Sequence, residues 1–169
     1  MNIVNKLAVG RFVFAGLVLG AVCVRGQEGG EKLLSNDAIA RMQSSKDAWS
    51  GLGDANVLLQ EGKEPGGFAF HTAYDDEAPY IVVELKKTAK LTRLFIQNRT
   101  DSYEERAKNL TIWASEDFIT WKPVWSAGGK AEKEWTIALN GVKAKYLRLG
   151  LPGKGVLHLN KVRVYGNDL

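Results

Sequence analysis

The sequence has one cysteine, Cys23, among 169 residues. No disulfide can form within the chain, so a folded domain here must rely on its core. Histidine is nearly as scarce, with only His71 and His158. No Ser/His/Asp set, metal cluster or convincing carboxylate pair is present. Asp75-Asp76-Glu77 reads as a solvated loop, because a paired-carboxylate hydrolase needs a positioned partner and a cleft. No apolar run is long enough for an ordinary membrane span. Residues 12–24 make 13 positions with glycine interruptions, against the roughly 20 that a spanning helix needs. Internal repeats, long linkers and low-complexity tracts are also missing.

Lys6 and Arg11 precede that short apolar run, and small residues follow it. This is the pattern of a secretory signal over residues 1–26, with Val24 and Gly26 at the two small-residue positions. Cleavage after Cys23 and an uncleaved anchor are the alternatives. Cys23 also invites a lipoprotein reading, which Val22 opposes by standing where a small residue is expected. The expected location is secreted, periplasmic or cell-surface. Loss of Lys6, Arg11 and Arg25 takes 23 basic residues to 20 against 19 acidic ones, so a net charge of +4 falls to +1. No basic field remains that would argue for nucleic acid or an anionic membrane. Residues 27–36 read as a flexible lead-in and 37–169 as one domain.

The domain reads as short strands separated by turn signals, the pattern of an all-β sandwich. Runs rich in β-branched and aromatic residues occupy 80–85, 91–97, 110–115, 120–125, 135–139, 145–149, 156–159 and 161–165. Gly128-Gly129 marks a turn, and Asn140-Gly141 reads as a hairpin. Only 37–46 has a helical alternative. Trp113, Trp121, Trp125 and Trp135 lie within these strands and are expected to fill the core or cover its edges. Trp49 lies in a Ser/Gly-rich approach segment with no such assignment. His158 sits in an alternating strand and reads as a packing residue.

One polar segment stands apart: Asn98-Arg99-Thr100-Asp101-Ser102-Tyr103-Glu104-Glu105-Arg106. Two arginines flank an aspartate and can present two rigid guanidinium forks to one small polar ligand. Neighbouring hydroxyl or ring oxygens of a sugar suit such forks. Asp101 can hold one guanidinium by a bidentate contact and fix its rotamer. The duller reading is a surface ion-pair cluster of little energetic consequence. Asn98-Arg99-Thr100 and Asn109-Leu110-Thr111 match the glycosylation tripeptide, which arises often by chance.

Several separated motifs resemble one family in order. Tyr146-Leu147-Arg148-Leu149, then Leu157-His158-Leu159-Asn160-Lys161-Val162-Arg163-Val164-Tyr165-Gly166, resemble the ending of discoidin domains, also called coagulation factor 5/8 type C domains. Pro79-Tyr80-Ile81-Val82-Val83-Glu84-Leu85 and Ser115-Glu116-Asp117-Phe118-Ile119-Thr120-Trp121 resemble their middle. The resemblance covers residues 56–166 and implies an antiparallel jelly-roll sandwich of the galactose-binding-like kind. Within that group the chain most resembles the fucose-binding F-type lectins, whose histidine is followed at a distance by Arg-x-Asp-x4-Arg. Arg99-x-Asp101-x4-Arg106 fits without a gap, and His71-Thr72 lies in the matching place. The resemblance implies a polar triad of His71, Arg99 and Arg106 beneath a ligand.

Two departures qualify that resemblance. Those lectins carry adjacent cysteines within the motif, and here Ser102-Tyr103 replace them. Tyr103 offers an aromatic face instead, or points to solvent. Such lectins also often hold a calcium ion with an asparagine-containing loop and a glutamate from the last strand. The matching loop is Asn56-Val57-Leu58-Leu59, and Lys161 stands for the glutamate. Calcium takes six to eight oxygen ligands, several of them charged, so Lys161 disfavours it. The expectation is that the Lys161 ammonium replaces the ion, accepted by loop carbonyls or by Glu61.

The reading is therefore a secreted, non-catalytic carbohydrate-binding module that requires no cofactor. Its expected partner is a glycan or polysaccharide bearing a sugar such as fucose or galactose. The ligand residues are His71, Arg99, Asp101, Arg106 and Tyr103, with Tyr74 or Phe70 as further apolar contacts. A single shallow site binds weakly, and avidity asks for several copies. The alternative is an extracellular interaction domain for protein or phospholipid. Membrane docking needs exposed apolar loop tips, and the loops at 60–67, 74–78 and 100–108 are mostly polar. A glycoside-active enzyme is the remaining rival.

Overall fold

The computed structural model describes residues 30–45, 55–61 and 67–169. The expected signal over 1–26, the start of the lead-in, and Trp49 lie outside the described residues. Eight strands follow in order: β1 Lys32–Leu33, β2 Ile39–Gln43, β3 Phe70–His71, β4 Tyr80–Asn98, β5 Thr111–Ser115, β6 Lys122–Ser126, β7 Glu134–Gly150 and β8 His158–Asp168. The described helical segments are short 3-10 turns, at Ser35–Asp37, Ala55–Leu58 and Glu104–Ala107. Residues 30–36, expected as a loose lead-in, carry β1, which pairs with β8. Lys32 reaches Asp168 at 3.0 Å and the Leu34 amide donates to the Val164 carbonyl. The helical alternative over 37–46 gives way to β2, which pairs with β4.

All pairings are antiparallel, in the order β1-β8-β4-β7-β5-β6, with β2 added to β4 and β3 to β8. The fold is the all-β jelly-roll sandwich. β4 and β7 are long enough to serve both layers. The start of β4 pairs with β2 and with the end of β7, whereas its later part pairs with β8 and with the start of β7. Register shifts after Glu84 and around Thr92 mark the two irregularities along that shared spine. One continuous core lies between the layers, with Ile81, Val83, Ile112, Leu147 and Leu149 packed in the same cluster as Leu94, Ile96, Ile137, Leu159 and Val164. Alternation is clean from Glu134 to Leu139, where every second residue is buried, as a two-residue side-chain period requires.

The hairpin expected at Asn140-Gly141 does not form. Both residues take positive φ, +50° and +80°, yet β7 runs on through them. Ala138 lies opposite Arg93 and Val142 opposite Leu91, so Leu139, Asn140 and Gly141 face Thr92 alone. The dipeptide makes a bulge because β4 continues as its partner on both sides. Gly128 and Gly129 both adopt positive φ in a true turn. Trp121 falls just before β6, and of the four tryptophans expected in strands only Trp135 is buried, with Trp125 packed edge-on against it at 6.0 Å. Trp113 and Trp121 are half-buried at the sheet surface.

Candidate functional site

The site is built where β3, the end of β4 and the start of β8 meet. In β3, His71 lies directly opposite His158 of β8. Thr72 secures that edge: its amide donates to the Leu157 carbonyl and its hydroxyl accepts from the Leu157 amide at 2.9 Å. At the end of β4, Asn98 is fully buried. Its Nδ2 donates to the carbonyls of Glu104 and Glu132, and its Oδ1 accepts from the Arg99 amide. Asn98 is thus the anchor of the arginine loop. With both amide protons engaged and no exposure, it is not an acceptor for a glycan.

Asp101 grips Arg99 by both carboxylate oxygens. Nε and Nη2 of Arg99 each donate at 2.6 Å, and the Ser102 amide adds a further bond. This charge-assisted fork orients the guanidinium. The Arg99 hydrogen bonds, followed by that amide, hold the Asp101 carboxyl down at about 2. Gly67 closes over the pair. Its φ is +90°, and a Cβ there would lie 2.8 Å from Asp101 Cγ. Gly67→Ala should therefore push the carboxylate off the guanidinium. The expected result is an Asp101 titration, followed by side-chain carbonyl NMR, that moves from about 2 toward the ordinary 3.8. An unmoved value would show that Gly67 does not shape the fork.

Tyr103 takes positive φ, 62°, at the start of the Glu104–Ala107 turn and stays half exposed. The Arg106 guanidinium carbon lies 4.3 Å from its ring centre and that of Arg99 5.3 Å. Arg106 also lies 5.6 Å from Tyr74, Tyr74 5.3 Å from His71, His71 5.4 Å from Phe68, and Arg99 4.8 Å from Phe68. These contacts close a circuit of six side chains: Phe68, His71, Tyr74, Arg106, Tyr103 and Arg99. Cation–π contacts of this kind add about 0.5–2 kcal/mol each. They also hold both guanidinium planes still.

His71 Nδ1 lies 2.7 Å from the Thr72 carbonyl. A carbonyl only accepts, so Nδ1 carries the proton that faces it. The circuit sets a buried imidazole beside arginine donors, and the guanidinium groups match adjacent hydroxyl oxygens. Beneath it, His158 stacks on His71 at 5.5 Å with 22° between the rings. Both of its ring nitrogens are buried without a hydrogen-bond partner. Burial, then the positive charge of Arg99, holds it down to about 3. It is a neutral ring at physiological pH.

His71, Arg99, Asp101, Tyr103 and Arg106 thus come together, and Tyr74 joins them. Phe70 does not: it is buried in the main core. The aromatic partner of Arg99 is Phe68, two residues earlier and before β3 begins. Neither Phe68 nor His158 carries a local signal of this placement, since each depends on the β3–β8 pairing.

At the loop near Asn56, Arg163 is a cation seated on backbone carbonyls. Nη1 donates to the carbonyls of Leu58 and Val162 and Nη2 to that of Gln60, at 2.7–3.2 Å. Arg163 lies two residues beyond Lys161 in β8, and the turn after Leu58 meets it. Among the described residues no group of three or more His, Cys, Asp or Glu side chains is placed to hold a metal.

A family model for the F5/8 type C domain matches residues 41–159. Among solved structures, the chain is similar to a fucose binding module, SpX-3, of Streptococcus pneumoniae, with 26% identity and a TM-score of 0.63 over 75% of this chain and 93% of that one. It is similar to an f-lectin (fucolectin) from striped bass (Morone saxatilis) serum, with 22% identity and a TM-score of 0.68 over 82% of this chain and 48% of that one. It also resembles CpGH89CBM32-5 of Clostridium perfringens, solved with GalNAc-β-1,3-galactose, at 20% identity and a TM-score of 0.65 over 79% and 99% of the two chains. No curated protein matches the sequence.

Proposed function

The chain belongs to the F5/8 type C domain family, and from that premise we propose that it is a non-catalytic carbohydrate-binding module acting outside the cytoplasm. One observation carries the reading: the closed circuit that sets the donors of Arg99 and Arg106 around His71, with Tyr103 and Tyr74 as apolar faces. A sugar presents the complementary set. Neighbouring hydroxyl oxygens accept from the guanidinium groups beside His71, and the C–H face of the ring rests on tyrosine. Each bond to a charged donor contributes about 1.5–3 kcal/mol before ordering costs. Asp101 acts as a positioning residue, since its oxygens are committed to Arg99. The similar structures solved as fucose-binding modules or with a galactose-containing ligand support sugars of those types.

Saturation-transfer NMR with fucose, galactose, mannose, rhamnose and glucose tests the reading. At least one sugar should give signals, and Arg99→Ala/Arg106→Ala should abolish them while the protein stays folded by circular dichroism. Silence across all five sugars and across the acidic oligosaccharides named below, with a folded protein, would overturn it. Signals that survive in the double variant would move the binding elsewhere.

A further inference from the structure

The two arginines of the site differ in one respect. The charge of Arg99 is balanced by Asp101 at 2.6 Å. Arg106 is half-buried, and among the described residues its guanidinium has ring contacts with Tyr74 and Tyr103 but no carboxylate or carbonyl acceptor. Asp101 is already spent on its neighbour. His158 is neutral and adds no charge. The site therefore carries a net positive charge concentrated at Arg106.

Beside Arg106 runs a groove of about 320 Å³. It lies between the 104–109 segment and the 151–156 loop. Leu151 and Val156, both buried, contribute apolar lining. Lys108 and Lys154 line it with Arg106, against a single acidic side chain, Glu105. Lys154 reaches Glu77 at 3.4 Å, but both side chains are well exposed, and such pairs hold little energy. The volume is at the lower end of small-ligand sites, and the groove shares Arg106 with the circuit.

We infer that the preferred ligand is an acidic glycan, whose carboxylate or sulfate group pairs with Arg106 and whose adjoining sugar unit occupies the groove beside Lys108 and Lys154. This rests on the carbohydrate-binding reading and names the ligand class of the same site. A guanidinium fork takes a carboxylate or a sulfate through two parallel hydrogen bonds. A neutral hydroxyl leaves the charge of Arg106 unanswered.

Isothermal titration calorimetry on the folded chain separates the possibilities. The probes are a galacturonic acid trisaccharide and a sulfated fucose trisaccharide, each beside its uncharged counterpart, with free fucose and galactose. At low salt one acidic probe should bind about tenfold more tightly than its neutral counterpart. That advantage should shrink in high salt. Which probe gains tells carboxylate from sulfate. Lys108→Gln/Lys154→Gln should remove most of the advantage and leave the affinity for free monosaccharides unchanged. Equal binding of acidic and neutral probes, with neutral binding still lost in Arg99→Ala/Arg106→Ala, would overturn this inference and leave the carbohydrate reading standing. No binding by either class would overturn both.

Discussion

Arg163→Met is expected to lower the melting temperature by roughly 10 °C, the loss of about 2–4 kcal/mol. Methionine keeps much of the side-chain length and apolar stem but offers no donor. The guanidinium of Arg163 is buried and donates to three backbone carbonyls, those of Leu58, Gln60 and Val162. Removing it strands those acceptors in a place where β8 meets the Ala55–Leu58 turn. Part of the loss is returned, because burying a guanidinium itself costs solvation, and this keeps the figure below the sum of three charged hydrogen bonds. Arg163→Lys should fall between the two, since an ammonium is a compact donor and cannot span carbonyls as a planar fork does. The wild-type melting temperature should be the same with calcium and with a chelator, because the loop carbonyls already hold a cation. Thermal unfolding followed by circular dichroism reads all of these. A calcium-dependent rise in the wild-type protein would show that the loop keeps room for the ion. An Arg163→Met protein as stable as wild type would show that the loop is held by other contacts.

His158→Phe is expected to flatten the acid side of the stability curve. An unfolded histidine titrates near 6.5, whereas His158 in the fold is held down to about 3 by burial and then by Arg99. Between those values the unfolded chain binds a proton that the folded chain refuses. Stability therefore falls as pH drops from 6.5, with a slope approaching about 1.4 kcal/mol per pH unit. Between pH 7 and pH 5 the wild type should lose roughly 2 kcal/mol that the phenylalanine variant keeps. At pH 7 the two should be close, because the ring nitrogens have no partner to lose and the stack on His71 can persist. The carboxylates act lower down. Asp101 and Asp117, both held at about 2, contribute stability above 3.8 that is lost as pH falls toward 2. Glu31 and Glu84, also lowered, act below 4.5. Urea unfolding at pH 7 and pH 5 checks the prediction. Parallel losses in the two proteins would mean that His158 takes up a proton in the fold.

The arginine loop was legible because its chemistry is local. Arg99 and Asp101 are two residues apart, and a short polar segment can bring a carboxylate onto a guanidinium without help from distant strands. Phe70 and Phe68 show where that ends. Both are apolar residues near His71, and only the pairing of β3 with β8 sends Phe70 into the core and leaves Phe68 under Arg99. His158 read as packing, which is correct for its burial and silent about what it packs against. Arg163 carries no local signal of its seat on the carbonyls of Leu58 and Gln60, which requires knowing how far along β8 the loop touches down.

By itself the sequence determined the things that repeat or act over short distances. Two-residue alternation dictated strands, paired glycines made the turn at Gly128-Gly129, and the spacing of Arg99, Asp101 and Arg106 prepared the loop. The tertiary structure alone decided which distant residues became neighbours. It turned Asn140-Gly141 from a hairpin into a bulge, because β4 was long enough to pair on both sides of it. It set His158 beneath His71, seated Arg163 on the loop carbonyls, and gave Arg106 ring contacts but no counter-charge among the described residues. Local preference is written residue by residue, whereas strand register and desolvation depend on the whole packed sandwich. A side chain's partner and charge state follow from that packing.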